Sequence, residues 1–115
     1  MPLAGYRVVD FSWVFAGPTT TMILGALGAE VLKIESSTRP DTSRRLRRYA
    51  DGRPMPVSGG PFDGMAFNKR SVSLDLSKAE AQEVARAIVG VSDVVVENFS
   101  YGIMERFGLG YERLR

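Results

Sequence analysis

The stretch "YRVVDFSWVFAGPTTTMILGALGAEVLKIE", residues 6–35, decides the fold, because two short apolar runs flank a helical segment in it. Residues 6–11 are rich in β-branched side chains and predict a strand buried on both faces. Residues 17–29 predict a helix with Pro18 at its first position, where the missing N–H removes no hydrogen bond. Residues 30–35 predict a second strand. Short strand–helix–strand connections of this kind predict a right-handed βαβ unit in a parallel sheet.

The predicted first helix shows an apolar repeat. Met22, Ile23, Ala26 and Leu27 recur at helical spacing, and we expect them to face the sheet. Gly28 follows as a C-terminal stop.

The second half of the chain repeats the alternation. "SVSLDL" (71–76) predicts a third strand, "DVVVEN" (93–98) a fourth, and "GIMERF" (102–107) a short helix. Between the last two strands, Ser77 and Glu80 have capping-box spacing, so a helix is expected to begin there with the Ser77 hydroxyl capping it. Its buried face is predicted to consist of Ala81, Val84, Ala85, Ile88 and Val89.

These elements predict an α/β fold: a Rossmann-like parallel sheet with helices on its faces, in one domain over residues 1–115. The Gly/Pro-dense region 52–64 predicts a loop. "YERLR" (111–115) resembles a helix that has only begun, and four strands leave sheet surface uncovered. We therefore expect the chain to be an incomplete, N-terminal portion of a larger fold.

Composition excludes several chemistries within these 115 residues. There is no cysteine and no histidine, so disulfides, thiolate nucleophiles, imidazole bases and Cys/His metal sites are excluded. No secretory signal or membrane-length apolar run is seen, which predicts a cytoplasmic protein.

The net charge is +2, but it is unevenly placed. Residues 36–70 hold eight Lys or Arg against three Asp, including "RRLRRYADGR" at 44–53. A solvated loop or an arginine-rich helical turn is the favoured interpretation. Nucleic-acid binding is the alternative, since clustered arginines neutralise phosphates.

Parallel sheets of this class bind ligands beyond the carboxyl ends of their strands. The segments to inspect are therefore 12–18, 35–40, 74–78 and 97–102. Neither G-x-G-x-x-G nor a P-loop occurs, which disfavours ordinary dinucleotide or P-loop binding.

Carboxylates near the strand ends allow two interpretations. Structural roles, as helix caps or as partners of Lys33 or Arg70, are favoured over catalytic ones for Asp10, Glu35, Asp75 and Glu97.

The aromatic residues beside Gly17 also allow two interpretations. Trp13 and Phe15 are candidates for stacking on a ligand ring, although core packing is favoured for Trp13.

Three stretches carry a resemblance to a known family: "GYRVVDFSWVFAGPTTTMILGALGAEVLKIE", "FNKRSVSLDL" and "DVVVENFSYGIMERFGLGYERL". Together they resemble the N-terminal part of the class III CoA-transferases. That family includes formyl-CoA and carnitinyl-type CoA-transferases and the related α-methylacyl-CoA racemases. Only the basic, Gly/Pro-rich region at about 37–64 has no counterpart.

The resemblance implies a set of residues that contact coenzyme A. A basic residue often follows the second strand in the family, but Ser36 stands there in this chain, with Arg39 as a possible substitute. Arg106 is expected to meet a CoA phosphate, and Glu97 to be structural. The full implied set is Phe15, Ala16, Ser36, Leu74, Asp75, Leu76, Ser77, Asn98, Phe99, Ser100 and Arg106.

The resemblance also implies the chemistry. CoA would move from an acyl-CoA thioester to an organic acid through an aspartyl intermediate on the enzyme. Nothing in this chain matches that aspartate, so no catalytic residue is assigned and the chain alone is expected to be inactive. CoA is implied as substrate, with no tightly bound cofactor or metal, and the full-length protein as a homodimer with no membrane partner. The alternatives are a racemase and a non-catalytic nucleotide- or nucleic-acid-binding module.

Overall fold

A computed structural model of the chain describes residues 1–45 and 61–115. Its centre is a parallel sheet with the strands β1 (Arg7–Asp10), β2 (Glu30–Glu35), β3 (Lys69–Ser73) and β4 (Val94–Val96). The strand order is β3-β2-β1-β4, so the two strands of the opening stretch lie at the centre. The predicted α/β class and parallel sheet are confirmed.

Helices cover both faces of this sheet. They are α1 (Ala16–Ala26), a 3₁₀ turn (Thr42–Arg45), α2 (Pro61–Ala66), α3 (Ala79–Gly90), α4 (Ile103–Arg106) and α5 (Tyr111–Leu114). Helices α1 and α2 pack against each other on one face.

Alternate residues of β1 serve the two faces. Val8 packs with Val31 and the half-buried Leu24 of α1. Val9 points the other way, into a larger cluster that includes Ala85 and Val89 of α3. The central strands are therefore buried on both sides, as their apolar runs predicted.

The face that α1 buries differs from the predicted one. Ile23 and Leu27 are 50% and 41% exposed, whereas the helix buries Gly17, Pro18, Thr21 and Gly25. Space is the reason: a Cβ on Gly25 would lie 3.1 Å from the Asn68 carbonyl oxygen. Small residues let the helix backbone approach its neighbours, so Ile23 and Leu27 lie outward while Leu24 is half-buried.

The predicted cap of α3 is also wrong. Ser77 donates its hydroxyl to Asp75 Oδ1 at 2.7 Å, and α3 begins after Lys78 with no side-chain cap. Donation to this carboxylate is charge-assisted, and it orients the Ser77 hydroxyl toward Asp75. Of the predicted apolar face, Ala85 and Val89 are buried, but Val84 is 47% exposed.

Two strand and loop predictions shift. The third strand lies at 69–73 rather than 71–76, because Lys69 pairs with Val31 at the start of the register. In the predicted loop 52–64, the part up to residue 60 lies outside the described residues, and residues 61–66 form α2. Phe62 anchors α2, since it is buried under the Arg44 guanidinium, 3.5 Å above its ring.

The arginine-rich stretch 44–53 lies outside the described residues from residue 46 onward. Within the described part, Arg44 forms a bidentate ion pair with Glu35, at 2.6 Å between Nη2 and Oε1. This arginine therefore has a structural role.

Replacing Gly17 by alanine is expected to lower the free energy of unfolding by about 1–3 kcal/mol. A Cβ at this position would overlap the Ser12 side chain, which is itself buried and fixed by Asp10. Urea unfolding of Gly17→Ala measures the effect, with Gly64→Ala as control because a Cβ there meets nothing within 4 Å. Equal destabilisation by the two changes would contradict the close approach.

Candidate functional site

A cleft of about 530 Å³ opens at the carboxyl edge of the sheet. Its walls come from the segments that follow all four strands and from α4. Strand β1 lies between β2 and β4, so the chain crosses in opposite directions on either side of it. Such a reversal of strand order is where open α/β sheets leave a crevice for ligands.

Most of the residues implied for coenzyme A meet in this cleft. The lining includes Ser36, Leu74, Asp75, Leu76, Ser77, Phe99, Ser100 and Arg106. Arg39, the possible substitute for a basic residue at Ser36, lines it too. The residues from three separate strand ends therefore share one surface.

Three of the implied residues lie apart from the cleft lining. Phe15 is 70% exposed, and Ala16 is the exposed first residue of α1. The Asn98 side chain is used on the protein itself: its Oδ1 accepts the Trp13 N–H and its Nδ2 donates to the Trp13 carbonyl, both at 2.8 Å. Asn98 therefore joins the ends of β4 and β1, and its contact with CoA stays a prediction.

Trp13 does not belong to the core, contrary to the favoured expectation. It is half-buried and lines the cleft. Its ring meets that of Phe99 edge to face, with centroids 5.7 Å apart and planes at 76°. The two rings form an aromatic wall of the cleft.

The rim of the cleft carries charge of both signs. Arg39 and Arg106 are exposed cations, while Asp75 accepts the Ser77 hydroxyl and the Ser77 N–H. These hydrogen bonds from Ser77 hold the pKa of the Asp75 carboxyl below its ordinary value. Asp75 is thus ionised and already partnered, which favours a structural role over that of a proton acceptor.

The other strand-end carboxylates are also partnered. Glu97 accepts the Phe99 N–H at 2.8 Å, and Glu35 accepts the Asp41 N–H at 2.6 Å as well as Arg44. The basic partners expected for these carboxylates, Lys33 and Arg70, form ion pairs with other acidic residues. Lys33 lies 3.6 Å from Asp41 and Arg70 lies 3.0 Å from Glu30.

A buried charge cluster pairs Asp10 with Lys69, a pairing that the sequence did not reveal. Asp10 is fully buried, with its Oδ2 2.9 Å from Lys69 Nζ and 2.6 Å from the Thr21 hydroxyl. Lys69 also donates to the Pro18 carbonyl at 2.9 Å. This cluster ties β1, α1 and β3 together.

The ionised form of Asp10 is the favoured one. Burial alone raises the pKa of the Asp10 carboxyl, but the charge of Lys33, the hydroxyls of Ser12 and Thr21 and the charge of Lys69 outweigh it, so the pKa lies below its ordinary value of 3.8. The cluster is therefore an ion pair at neutral pH.

One sequence spacing recurs through this region, and it marks Asp41, whose role no other sequence pattern indicated. Three times an aspartate Oδ1 accepts both the N–H and the hydroxyl of the serine two positions later. Such Asx turns fix the chain where it leaves a strand or enters a helical turn. The pairs are Asp10 with Ser12, Asp41 with Ser43, and Asp75 with Ser77.

Within residues 1–45 and 61–115, no group of three or more acidic side chains converges to hold a metal ion. Across the same described part of the chain, no helix is long and apolar enough to cross a membrane.

An open parallel sheet with a cleft at its strand-order reversal defines a Rossmann-like α/β protein. Comparison with known proteins gives the family: the sequence model of CoA-transferase family III matches residues 3–115, and the chain belongs to that family.

Individual relatives agree. The chain is 42% identical to a succinyl-CoA:mesaconate CoA-transferase of Haloarcula hispanica, over 95% of this chain and 27% of the relative. It is 37% identical to a formyl-CoA:oxalate CoA-transferase of Rhodopseudomonas palustris, over 98% of this chain and 26% of the relative. A solved CAIB/BAIF family structure from Brucella suis superposes with a TM-score of 0.79 at 32% identity, over 99% of this chain and 30% of the other. The chain thus spans less than a third of the length of these relatives.

Proposed function

We propose that this chain is the CoA-binding, N-terminal portion of a class III CoA-transferase, which moves CoA between an acyl-CoA thioester and an organic acid. The observation that carries the proposal is the cleft at the carboxyl edge, in a chain of CoA-transferase family III. One wall is aromatic and the rim carries two arginines, a combination that suits an adenine ring and the phosphates attached to its ribose.

The cleft divides naturally between the two parts of such a ligand. Trp13 and Phe99 offer apolar ring surface on one side. Arg39 and Arg106 line the same space from the loop after β2 and from α4. We infer that the adenine lies toward the rings and the phosphates toward the arginines.

The transfer step itself is assigned to no residue of this chain. The acidic side chains at the strand ends are engaged in structural hydrogen bonds or ion pairs, as described above. We propose that the nucleophilic aspartate, the homodimer partner surface and the organic-acid site belong to the rest of a longer, cytoplasmic protein. The curated relatives reported above are named as CoA-transferases, which favours transfer over racemisation.

Calorimetric titration tests the binding. The measurement uses the full protein that its host produces, called the intact protein below. We expect CoA to bind to it, and we expect pantetheine, which lacks the nucleotide, to bind at least about tenfold more weakly. Salt-dependent binding of duplex DNA without any response to CoA would instead support the nucleic-acid module. A crystal structure with CoA at the amino edge of the sheet would contradict the assigned cleft.

The isolated 115-residue chain is expected to show no CoA transfer, because none of its aspartates matches the nucleophile that the family resemblance implies. The measurement is chromatographic detection of a new acyl-CoA from succinyl-CoA or formyl-CoA and a panel of carboxylic acids. Turnover above the uncatalysed rate by this chain would overturn the assignment of the nucleophile to other sequence.

A further inference from the structure

The turn between β1 and α1 contains a strained residue. Val14 has φ of 70°, in the left-handed region that β-branched residues rarely adopt. It lies between Trp13, which lines the cleft, and Phe15, which precedes α1. A residue in this conformation persists only where surrounding contacts impose it.

The contacts that impose it come from three distant parts of the chain. Lys33 of β2 donates to the Ser12 carbonyl, and Asn98 bonds both backbone groups of Trp13. The Val14 N–H is bound by the Asp41 carboxylate, at 3.1 Å to Oδ1 and 3.2 Å to Oδ2.

Asp41 is well fixed for this task. It is 1% exposed, and its Oδ1 also accepts the Ser43 N–H at 2.9 Å and the Ser43 hydroxyl at 2.8 Å. Its Oδ2 faces Lys33 Nζ at 3.6 Å, and its own N–H donates to Glu35. The carboxylate thus joins the loop after β2 to the turn after β1, and both of these border the cleft.

We propose that Asp41 is a positioning residue for the CoA-binding cleft: it holds Val14 in its left-handed conformation and so fixes Trp13 against the cleft and Phe15 at the start of α1. The expected effect of Asp41 on CoA affinity rests on the proposed function. Its expected effect on the conformation of the turn does not. Asparagine does not reproduce the carboxylate, because its NH₂ group in place of Oδ2 would face the Lys33 ammonium and the Val14 N–H, and the negative charge is lost.

Hydrogen exchange and CoA affinity test this together in the intact protein. Asp41→Asn is expected to speed amide exchange in residues 12–16 by about tenfold or more and to weaken CoA binding by about tenfold. Asp93→Asn is the matched control, since Asp93 also accepts a backbone N–H from a distant residue, that of Arg7 at 2.8 Å, away from the cleft. It should leave both quantities unchanged.

A rescue distinguishes positioning from general stability. Glycine adopts positive φ without steric strain. Adding Val14→Gly to Asp41→Asn is therefore expected to recover most of the CoA affinity, although the lost charge is not restored. Failure of this rescue would overturn the proposal.

A second variant covers the case in which Asp41→Asn does not fold. Val14→Pro removes the N–H and fixes φ near −65°, while leaving Asp41 and Lys33 in place. Val14 is 40% exposed, so the protein is expected to stay folded and to lose about tenfold in CoA affinity. If the folded Val14→Pro protein, or a folded Asp41→Asn protein, binds CoA as the wild type does, the inference fails and the proposed function stands. If the wild type does not bind CoA, the proposed function fails, and exchange in residues 12–16 alone decides the role of Asp41.

Discussion

Replacing Asp10 by asparagine is expected to lower the free energy of unfolding by about 3–5 kcal/mol. The side chain keeps its volume but loses its charge, so Lys69 is left in the interior without its counter-ion at 2.9 Å. The Thr21 hydroxyl also loses a charged acceptor. Urea unfolding of the wild type and the variant measures the difference.

An exposed ion pair provides the control. Glu30 pairs with Arg7 and Arg70 at the amino edge of the sheet, and its side chain is 31% exposed. Glu30→Gln is expected to cost much less than Asp10→Asn, because water already screens the charges. A cost of Asp10→Asn as small as that of Glu30→Gln would show that the buried pair does not stabilise the sheet.

The pH dependence of stability should identify the same carboxyl. The folded-state pKa of Asp10 lies below its ordinary value of 3.8, so its contribution is present above pH 3.8 and is lost as the pH falls through the folded-state pKa. The wild type should therefore lose more stability than Asp10→Asn as the pH falls below 3.8. Parallel curves for the two proteins in that window would contradict the assignment.

The framework of the fold could be predicted from the sequence because its signals are local. Runs of β-branched residues mark the strands, and the helix predicted at 17–29 corresponds to α1 (Ala16–Ala26), although Pro18 lies in its first turn and not at its first position. Strand–helix alternation then fixes a parallel sheet and places any ligand at its carboxyl edge. The meeting of Ser36, Leu74 and Arg106 in one cleft follows from that topology.

What could not be predicted depends on contacts between distant residues. Lys69 and Asp10 are 59 positions apart, and nothing in either local pattern connects them. The outward turn of Ile23 results from close packing at Gly25, which helical spacing cannot reveal. Trp13 likewise lies in the cleft because Asn98, 85 residues later, holds its backbone there.

Local competition explains the wrong cap of α3. The sequence offers the Ser77 hydroxyl two partners: the N–H groups at the start of α3 and the Asp75 carboxylate. The spacing between Ser77 and Glu80 alone favoured the helix start. In the structure the hydroxyl donates to the Asp75 carboxylate instead. Serines at the same spacing donate to Asp10 and Asp41. Asp-x-Ser at a strand end is therefore better interpreted as an Asx turn than as the start of a cap.

The effect expected at Arg106 concerns binding rather than folding. Arg106 is exposed at the cleft and makes no hydrogen bond or ion pair with its side chain to any residue within 1–45 or 61–115. Arg106→Gln should therefore leave the unfolding midpoint nearly unchanged. If the guanidinium meets a CoA phosphate, the lost charge-assisted bond is worth about 1.5–3 kcal/mol, or about ten- to hundredfold in Kd for CoA.

Arg113→Gln is the matched control, since Arg113 is an exposed arginine of α5 that does not line the cleft. Its Kd for CoA should stay within about twofold of the wild type, as expected for a distant, screened charge.

Arg106→Lys separates charge from geometry: a lysine keeps the cation but not the planar fork that binds phosphate through two parallel N–H groups. Rising salt should weaken CoA binding by the wild type more than by Arg106→Gln, because salt screens the arginine–phosphate contact that the variant lacks. Identical calorimetric Kd values for the wild type, Arg106→Gln and Arg113→Gln would remove Arg106 from the CoA site and leave Arg39 as the cation of the cleft to test.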